Sequence, residues 1–275
     1  MGLTITSFAS GSSGNALLAQ ADGETILVDC GIALRTLERH LRSRGVEPGE
    51  LRAIVLTHEH GDHAMTAGAF ARRHKVPIIC NEPTRAAISA ELAGLAVEQL
   101  PVGERATLGP FDLRSFPLAH DAAAPVGYRI SVGGVTAALA IDLGSWDAAV
   151  VQALVGADLV IVEANHDRER LIASPYSPAL RQRIYGPLGH LDNMQAGELL
   201  ARVCAAGGER EVWLAHLSQQ TNSPNLAVSA VRRALSMARL SCQRISALPR
   251  YTRPELRSAP VWHSDAGGMI QHALF

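Results

Sequence analysis

The chain has 275 residues, is 47% hydrophobic, and sets 25 basic against 26 acidic side chains for a formal net charge of −1. The near balance excludes a wholly basic nucleic-acid binder, and the apolar content suffices for one large core. No apolar run reaches the ~18–20 residues of a membrane span, and MGLTITSFAS lacks the charged and long apolar regions of a signal peptide.

LTITSFAS alternates as a strand does, and GSSGN is a turn-forming cluster. ALLAQADGETILVDCG predicts two strands joined at Asp22-Gly23, a hairpin signal. Residues 33–44 are amphipathic, with Leu34, Leu37 and Leu41 on one side and Gly45 placed to close a helix. LRAIVLT reads as a short strand buried on both faces. A helix over MTAGAFARRHK, a strand and turn over VPIICNEPT and a helix over 84–93 follow. Residues 97–140 are strand-rich, in segments divided by Gly and Pro turns. Helices at 146–155, 194–206 and 225–238 then alternate with strands DLVIVEAN and REVWLAH. This order predicts an α/β chain: two mixed β-sheets packed face to face with helices outside, a four-layer αββα sandwich. It forms one domain over 1–250. Residues 251–275 show no period and are expected to be an irregular C-terminal tail or oligomer arm, compatible with a homodimer.

Cys30, Cys80, Cys204 and Cys242 form no CxxC pair, which reads as reduced thiols in a cytoplasmic protein. The seven arginines from Arg232 to Arg257 face one acid, Glu255. A solvated helix face with a polar tail explains them, and a phosphate-contacting surface is the alternative. His40, His74, His263 and His272 have no ligand-like setting and read as surface residues.

The concentrated chemistry is in VLTHEHGDHAMTAG. His58 and His60 lie two apart, so on extended chain they point the same way. Gly61 permits a sharp turn, and Asp62 and His63 follow as a helix begins. A strand-to-helix junction of this kind can gather all four side chains in one volume. Imidazole and carboxylate donors suit zinc, manganese or iron.

HEHGDH resembles the HxHxDH signature of the metallo-β-lactamase superfamily, whose fold is the αββα sandwich. The resemblance implies two divalent metal ions, Zn2+ or Mn2+ with iron compatible. His58, His60 and His120 would hold the first; Asp62, His63 and His216 the second; Asp142 would bridge them. His120, Asp142 and His216 each follow an apolar run in FPLAH, AALAID and VWLAH. Asp29, at the end of TILVD, resembles the family aspartate that orients the site, a turn aspartate being the plain alternative. A hydroxide between two cations would attack a phosphorus or carbonyl centre, which makes the chain a hydrolase.

FASGSSGNALL, EANHD, GHLDN and AHLSQQTNSP resemble the YycJ/WalJ-like group of DNA exonucleases, from about residue 5 to about residue 245. Glu163-Ala164 and Gly189-His190 resemble pairs in related phosphodiesterases, including tRNA 3′-processing ribonuclease Z. By that likeness Glu163 orients His190, which protonates a leaving oxygen, with Asp62 also catalytic. A capping or surface role for His190 is the alternative. Ser12, Ser13 and Asn15 in SGSSGN could bind a substrate phosphate or form an ordinary turn. His166 and Asp167 are left undecided. The resulting expectation is a nuclease of 5′–3′ DNA exonuclease type, with nucleic acid as partner and no membrane. A small-molecule hydrolase (thioesterase, lactonase or β-lactamase-like) on the same site is the alternative. A nucleic-acid-binding or regulatory protein with a vestigial site is the second.

Overall fold

The computed structural model describes residues 2–240, 244–256 and 258–265. In the first sheet, β1 (Gly2–Ala9), β2 (Ala16–Ala21) and β3 (Glu24–Val28) are antiparallel neighbours. Asp22 and Gly23 join β2 to β3 with φ of 50° and 80°, the positive values a tight two-residue hairpin needs. β4 (Ala53–Val55), β5 (Ile78–Cys80) and β6 (Val97–Gln99) extend the sheet in parallel from β3. The helices between them are α1 (Leu34–Ser43), α2 (Gly61–Ala64), α3 (Ala67–His74) and α4 (Glu82–Ala87).

The second sheet starts with antiparallel β7 (Arg105–Leu108), β8 (Phe111–Pro117), β9 (Val126–Val132) and β10 (Val135–Ala140). Parallel β11 (Leu159–Glu163), β12 (Glu211–Ala215) and β13 (Arg244–Ala247) complete it. Its helices are α5 (Ala148–Leu154), α6 (Arg168–Ile172), α7 (Pro178–Tyr185), α8 (Asn193–Ala205) and α9 (Pro224–Met237). β14 (Val261–Asp265) returns to pair with β1. The strand orders are β14-β1-β2-β3-β4-β5-β6 and β13-β12-β11-β10-β9-β8-β7.

Three apolar layers hold this αββα sandwich together. Ile5, Leu17, Val28, Tyr128, Ile161 and Trp213 interdigitate between the sheets. Leu37, Leu41 and Phe70 seal the outside of the first sheet, and Leu154, Leu199, Val231 and Leu235 that of the second. Each such side chain contributes about 1.5–3 kcal/mol on burial. Every residue of β4, β10, β11 and β12 is buried, because helices on one side and the opposite sheet on the other cover both faces. Among the described residues no helix is long and apolar enough to cross a membrane.

Several local expectations need correction. The expected irregular tail contains a strand: β14 pairs from Gly2↔Asp265 to Thr6↔Val261, and Trp262 is buried between the sheets. An edge strand of five residues carries too little pattern to stand out in sequence. Residues 266–275, with His272, lie outside the described residues, as do Cys242 and Arg257. Cys30, Cys80 and Cys204 are buried. α4 stops at Ala87, short of the expected 93. His40 is not a surface residue: it is 2% exposed and stacks on Phe8 with ring centroids 4.8 Å apart. It lies beside Leu37 and Leu41 on the inner face of α1, and burial lowers its pKa to about 4. His263 is exposed and bonds Thr4 Oγ1 at 2.8 Å, and His74 meets Glu38 at 2.9 Å.

Candidate metal centre

Both sheets send parallel strand ends to one place, and three of those ends are conformationally costly. Asp29 follows β3, Asp142 lies two residues past β10, and His216 follows β12. All three have positive φ: 61°, 60° and 54°. A non-glycine residue in this region carries local strain, which packing around a site can hold. The turn turns each side chain out of the strand's alternation and toward the gap between the sheets.

Backbone hydrogen bonds then lace three distant segments together. Asn15 N donates to Asp62 O at 2.7 Å, Cys30 N to His63 O at 2.6 Å, and Gly31 N to Asn15 O at 3.0 Å. This close approach requires glycine at 31, where a Cβ would sit 1.7 Å from Asp62 O. So SGSSGN, VDCG and HGDH form one unit. On the other side, His120 Nδ1–H donates to Gly189 O at 2.9 Å.

The result is two adjoining donor clusters. His58, His60 and His120 form one; Asp62, His63, Asp142 and His216 form the other, the donor atoms of each lying within 4.8 Å of one another. Asp142 Oδ2 touches both, 3.4 Å from His58 Nε2 and 2.7 Å from His63 Nε2. All seven sequence-predicted ligands therefore meet. Two observations fit a cation here. His58 Nε2 is buried with no hydrogen-bond partner, 3.4 Å from Asp142 Oδ2, a costly state unless something charged is shared between them. His216 Nε2 also faces Asp62 Oδ2 at 3.2 Å, so a proton or a cation must lie between two groups that otherwise both accept.

Asp29 governs the tautomers. Its Oδ2 accepts His63 Nδ1–H at 2.7 Å, and the Thr57 hydroxyl donates to the same carboxylate at 2.9 Å. With its only proton committed, Thr57 Oγ1 accepts from His58 Nδ1–H at 3.0 Å. One carboxylate thus directs Nδ1–H of both rings, so that Nε2 is the atom left to ligate in His58 and, once a cation displaces its proton, in His63. Burial, with His63 beside it, holds the pKa of His58 well below the usual imidazole range. Burial acts the same way on His63 and His216. There the neighbouring carboxylates outweigh it, lifting His63 well above that range and His216 to about 9. The excess negative charge that does this is what a divalent cation would neutralise.

A third group joins Asp142 and His216 to Glu163 and His190. Glu163 is fully buried, accepts Leu143 N at 2.8 Å and Leu191 N at 3.3 Å through Oε2, and faces His190 Nδ1 at 2.8 Å through Oε1. Burial would raise the Glu163 pKa, but His190 pulls it down to about 2. His190 lines a cleft of about 230 Å3 together with Ser12, Tyr176, Arg183, His216 and Ser218.

The remaining sequence candidates fall in different places. Ser12 reaches the cleft. Ser13 is exposed and within 3.4 Å of Arg250. Asn15 is 2% exposed and bonds His63 Nε2 at 2.9 Å and Asp62 O at 3.3 Å, so its contacts are with the donor cluster and not with the cleft. From the arginine segment, Arg250 packs against the Gly11 turn, while Arg232 and Arg233 lie on the exposed side of α9. His166 is buried with neither ring nitrogen bonded, and Asp167 caps α6.

Sequence reasoning missed Thr57, Asn165, Tyr176 and Arg183. Asn165 Nδ2 donates to His216 O at 3.0 Å, and Arg183 pairs with Asp121 at 2.6 Å on the cleft rim. Asn165 had a signal in EANHD. The other three carry none, since each looks like an ordinary strand-end, loop or helix residue.

Comparison with known proteins places these features in context. The model for the family described as the beta-lactamase superfamily domain matches residues 24–217. "Exodeoxyribonuclease WalJ" of Streptococcus pneumoniae is 33% identical over 245 residues, covering 87% of this chain and 91% of that protein. "Exodeoxyribonuclease YycJ" of Bacillus anthracis is 32% identical over 238 residues, covering 86% and 90%. The crystal structure of the metallo-beta-lactamase fold protein YhfI from Bacillus subtilis superposes with a TM-score of 0.69 at 20% identity. The match covers 94% of this chain and 99% of that one, a likeness of fold.

Proposed function

The chain belongs to the beta-lactamase superfamily domain family, a metal-dependent hydrolase fold, and from that premise we propose that it is a dinuclear phosphodiesterase acting as a DNA exonuclease. The observation that carries this reading is the pairing of His190 with Glu163 against two donor clusters that share Asp142. The names of the two relatives, both exodeoxyribonucleases over most of this chain, support it.

His58, His60 and His120 would hold one divalent ion, Asp62, His63 and His216 the other, with Asp142 between them. Divalent ions held there would supply a nucleophilic hydroxide at neutral pH and would polarise the phosphate. The chain's own groups do the rest. Asp29 and Thr57 fix the ligand imidazoles. Glu163 holds His190 by Nδ1, leaving Nε2–H to protonate the departing 3′ or 5′ oxygen, which is a poor leaving group without a proton. Arg183 and Ser12 give the cleft a polar rim suited to phosphate.

The test assays purified, metal-loaded protein on end-labelled single- and double-stranded DNA and on RNA, beside thioester, lactone and lactam substrates. DNA should shorten from an end, and Asp62→Asn should abolish this with the fold intact by circular dichroism. Hydrolysis of the small esters with all nucleic acids untouched would refute the reading.

A further inference from the structure

Beside the cleft, the connection from β11 to α8 is only loosely absorbed into the core. Helix α7 buries none of its residues. Four of the ten large apolar side chains left exposed among the described residues lie here: Ile172 (65%), Leu180, Tyr185 (46%) and Leu188. Helices α6 and α7 enclose a groove of about 400 Å3 lined by Arg168, Leu171, Ile172, Arg181, Gln182 and Tyr185. The Arg168 guanidinium lies 4.8 Å from the centroid of the Tyr185 ring. Arg181 donates to Ile172 O at 2.8 Å, which ties the two helices together.

This groove and the metal cleft share one wall. Leu180, Arg183 and Ile184 of α7 line the cleft, while Arg181, Gln182 and Tyr185 line the groove. His190 N donates to Ile184 O at 2.9 Å, so the helix separating the two spaces also anchors the turn that carries His190. A chain emerging from the cleft need cross only α7 to enter the groove. Residues 167–185 hold four arginines against Asp167 and Glu169.

We propose that the groove between α6 and α7 carries the single-stranded part of a nucleic-acid substrate adjoining the bond cut in the cleft. A base stacks on Tyr185, and Arg168 and Arg181 face backbone phosphates. The inference rests on the nuclease reading. The chemistry matches because an aromatic ring beside guanidinium groups accepts any base through its π face and any backbone through its charge. A second copy of the chain fits less well, since a two-fold contact sets this arginine-rich face against itself.

The test measures fluorescence anisotropy of a fluorescein-labelled, phosphorothioate-linked oligothymidylate with the metal-loaded protein, over a range of salt. Tyr185→Ala should weaken binding about tenfold and Tyr185→Phe should restore it. Arg168→Ala should lower the slope of log affinity against log salt by about 0.7. Thermal melting and hydrolysis of the p-nitrophenyl ester of thymidine 5′-phosphate, which fills only the cleft, should be unchanged in all three. If wild-type protein degrades DNA but Tyr185→Ala and Arg168→Ala bind the oligonucleotide as tightly, the groove assignment is overturned. Loss of a dimer in Tyr185→Ala, by sedimentation, with unchanged DNA affinity would assign the face to a second copy and overturn it too. Wild type that cleaves the chromogenic ester but neither DNA nor RNA overturns the nuclease reading itself.

Discussion

Asp29→Asn separates metal holding from everything else the fold does. Asparagine is nearly isosteric and tolerates the left-handed backbone that Asp29 adopts at φ 61°, so the strand end should keep its path. What changes is hydrogen-bond polarity. Asp29 accepts from Thr57 N at 2.9 Å, the Thr57 hydroxyl at 2.9–3.0 Å and His63 Nδ1 at 2.7 Å. An amide has one oxygen for these donors. If the oxygen stays on Thr57 N, the NH2 faces His63 Nδ1 and drives the ring to its other tautomer. Nε2 then carries a proton and cannot ligate. If the amide flips, two N–H groups meet in a buried site. Either arrangement costs about 1–3 kcal/mol, and metal affinity should fall about 10- to 100-fold. Chelator-competition titration with Zn2+ or Mn2+ measures the affinity, and melting of the metal-free protein checks the fold. An affinity within about twofold of wild type, with the fold intact, would show that Asp29 does not govern the ligands and refute the relay through Thr57.

Three further outcomes follow from the same geometry. His190→Ala should keep its metal yet lose about 10²–10⁴ in kcat on DNA, with a much smaller loss on a p-nitrophenyl phosphodiester whose leaving group needs no proton; equal losses on both would rule out proton donation. Gly31→Ala drives a methyl into Asp62 O and should cost at least about 1–3 kcal/mol by urea unfolding, together with metal binding; wild-type values for both would contradict the tight lacing of these loops. His40, with a folded pKa near 4 against an ordinary 6.5, is stabilising when neutral. Its contribution is complete above pH ~6.5 and is lost as pH falls toward 4, because the unfolded chain takes up the proton first. Between pH 7 and 5 that amounts to about 2 kcal/mol. Urea midpoints should show this drop in wild type and lack it in His40→Phe; parallel pH profiles would place the titration elsewhere.

The two-sheet architecture was legible because buried parallel strands leave long apolar runs, such as LVIVE and VTAALA, that end abruptly. The seven donors were legible for the same reason: each is a polar residue at the end of such a run or in the turn beyond it. What stayed hidden has no periodic signature. α7 buries nothing, so its sequence PALRQRIY gives no amphipathic stripe to read. β14 is an edge strand whose place depends on pairing with β1, some 260 residues away. Asn15 reads as a phosphate contact because glycine-serine turns often are; its inward direction is set by Asp62, which only the fold brings beside it.

The strained strand ends explain why the site was visible at all. Asp29, Asp142 and His216 all take a backbone conformation that costs a non-glycine residue about 1–2 kcal/mol. They also place titratable groups where burial is nearly total. A chain shaped for stability alone would use glycine at the turn and an apolar residue inside. Keeping aspartate and histidine there is a local conflict with the fold, and such conflicts concentrate where function sets the residue. The conflict is resolved mutually. Asp29 is satisfied by Thr57 and His63, His216 is held by Ser10 and Asn165, and Asp142 lies between His63 and His216. Each strained residue is braced by groups from another segment, and Asp142 and His216 each meet a residue of the opposite sheet's loops. The two sheets are therefore joined by this network of histidines and carboxylates as well as by the apolar layer beneath it. Metal binding should accordingly raise the melting temperature of the whole domain in a single transition; a separate low-temperature transition that responds to metal alone would show that the loops unfold independently of the sandwich.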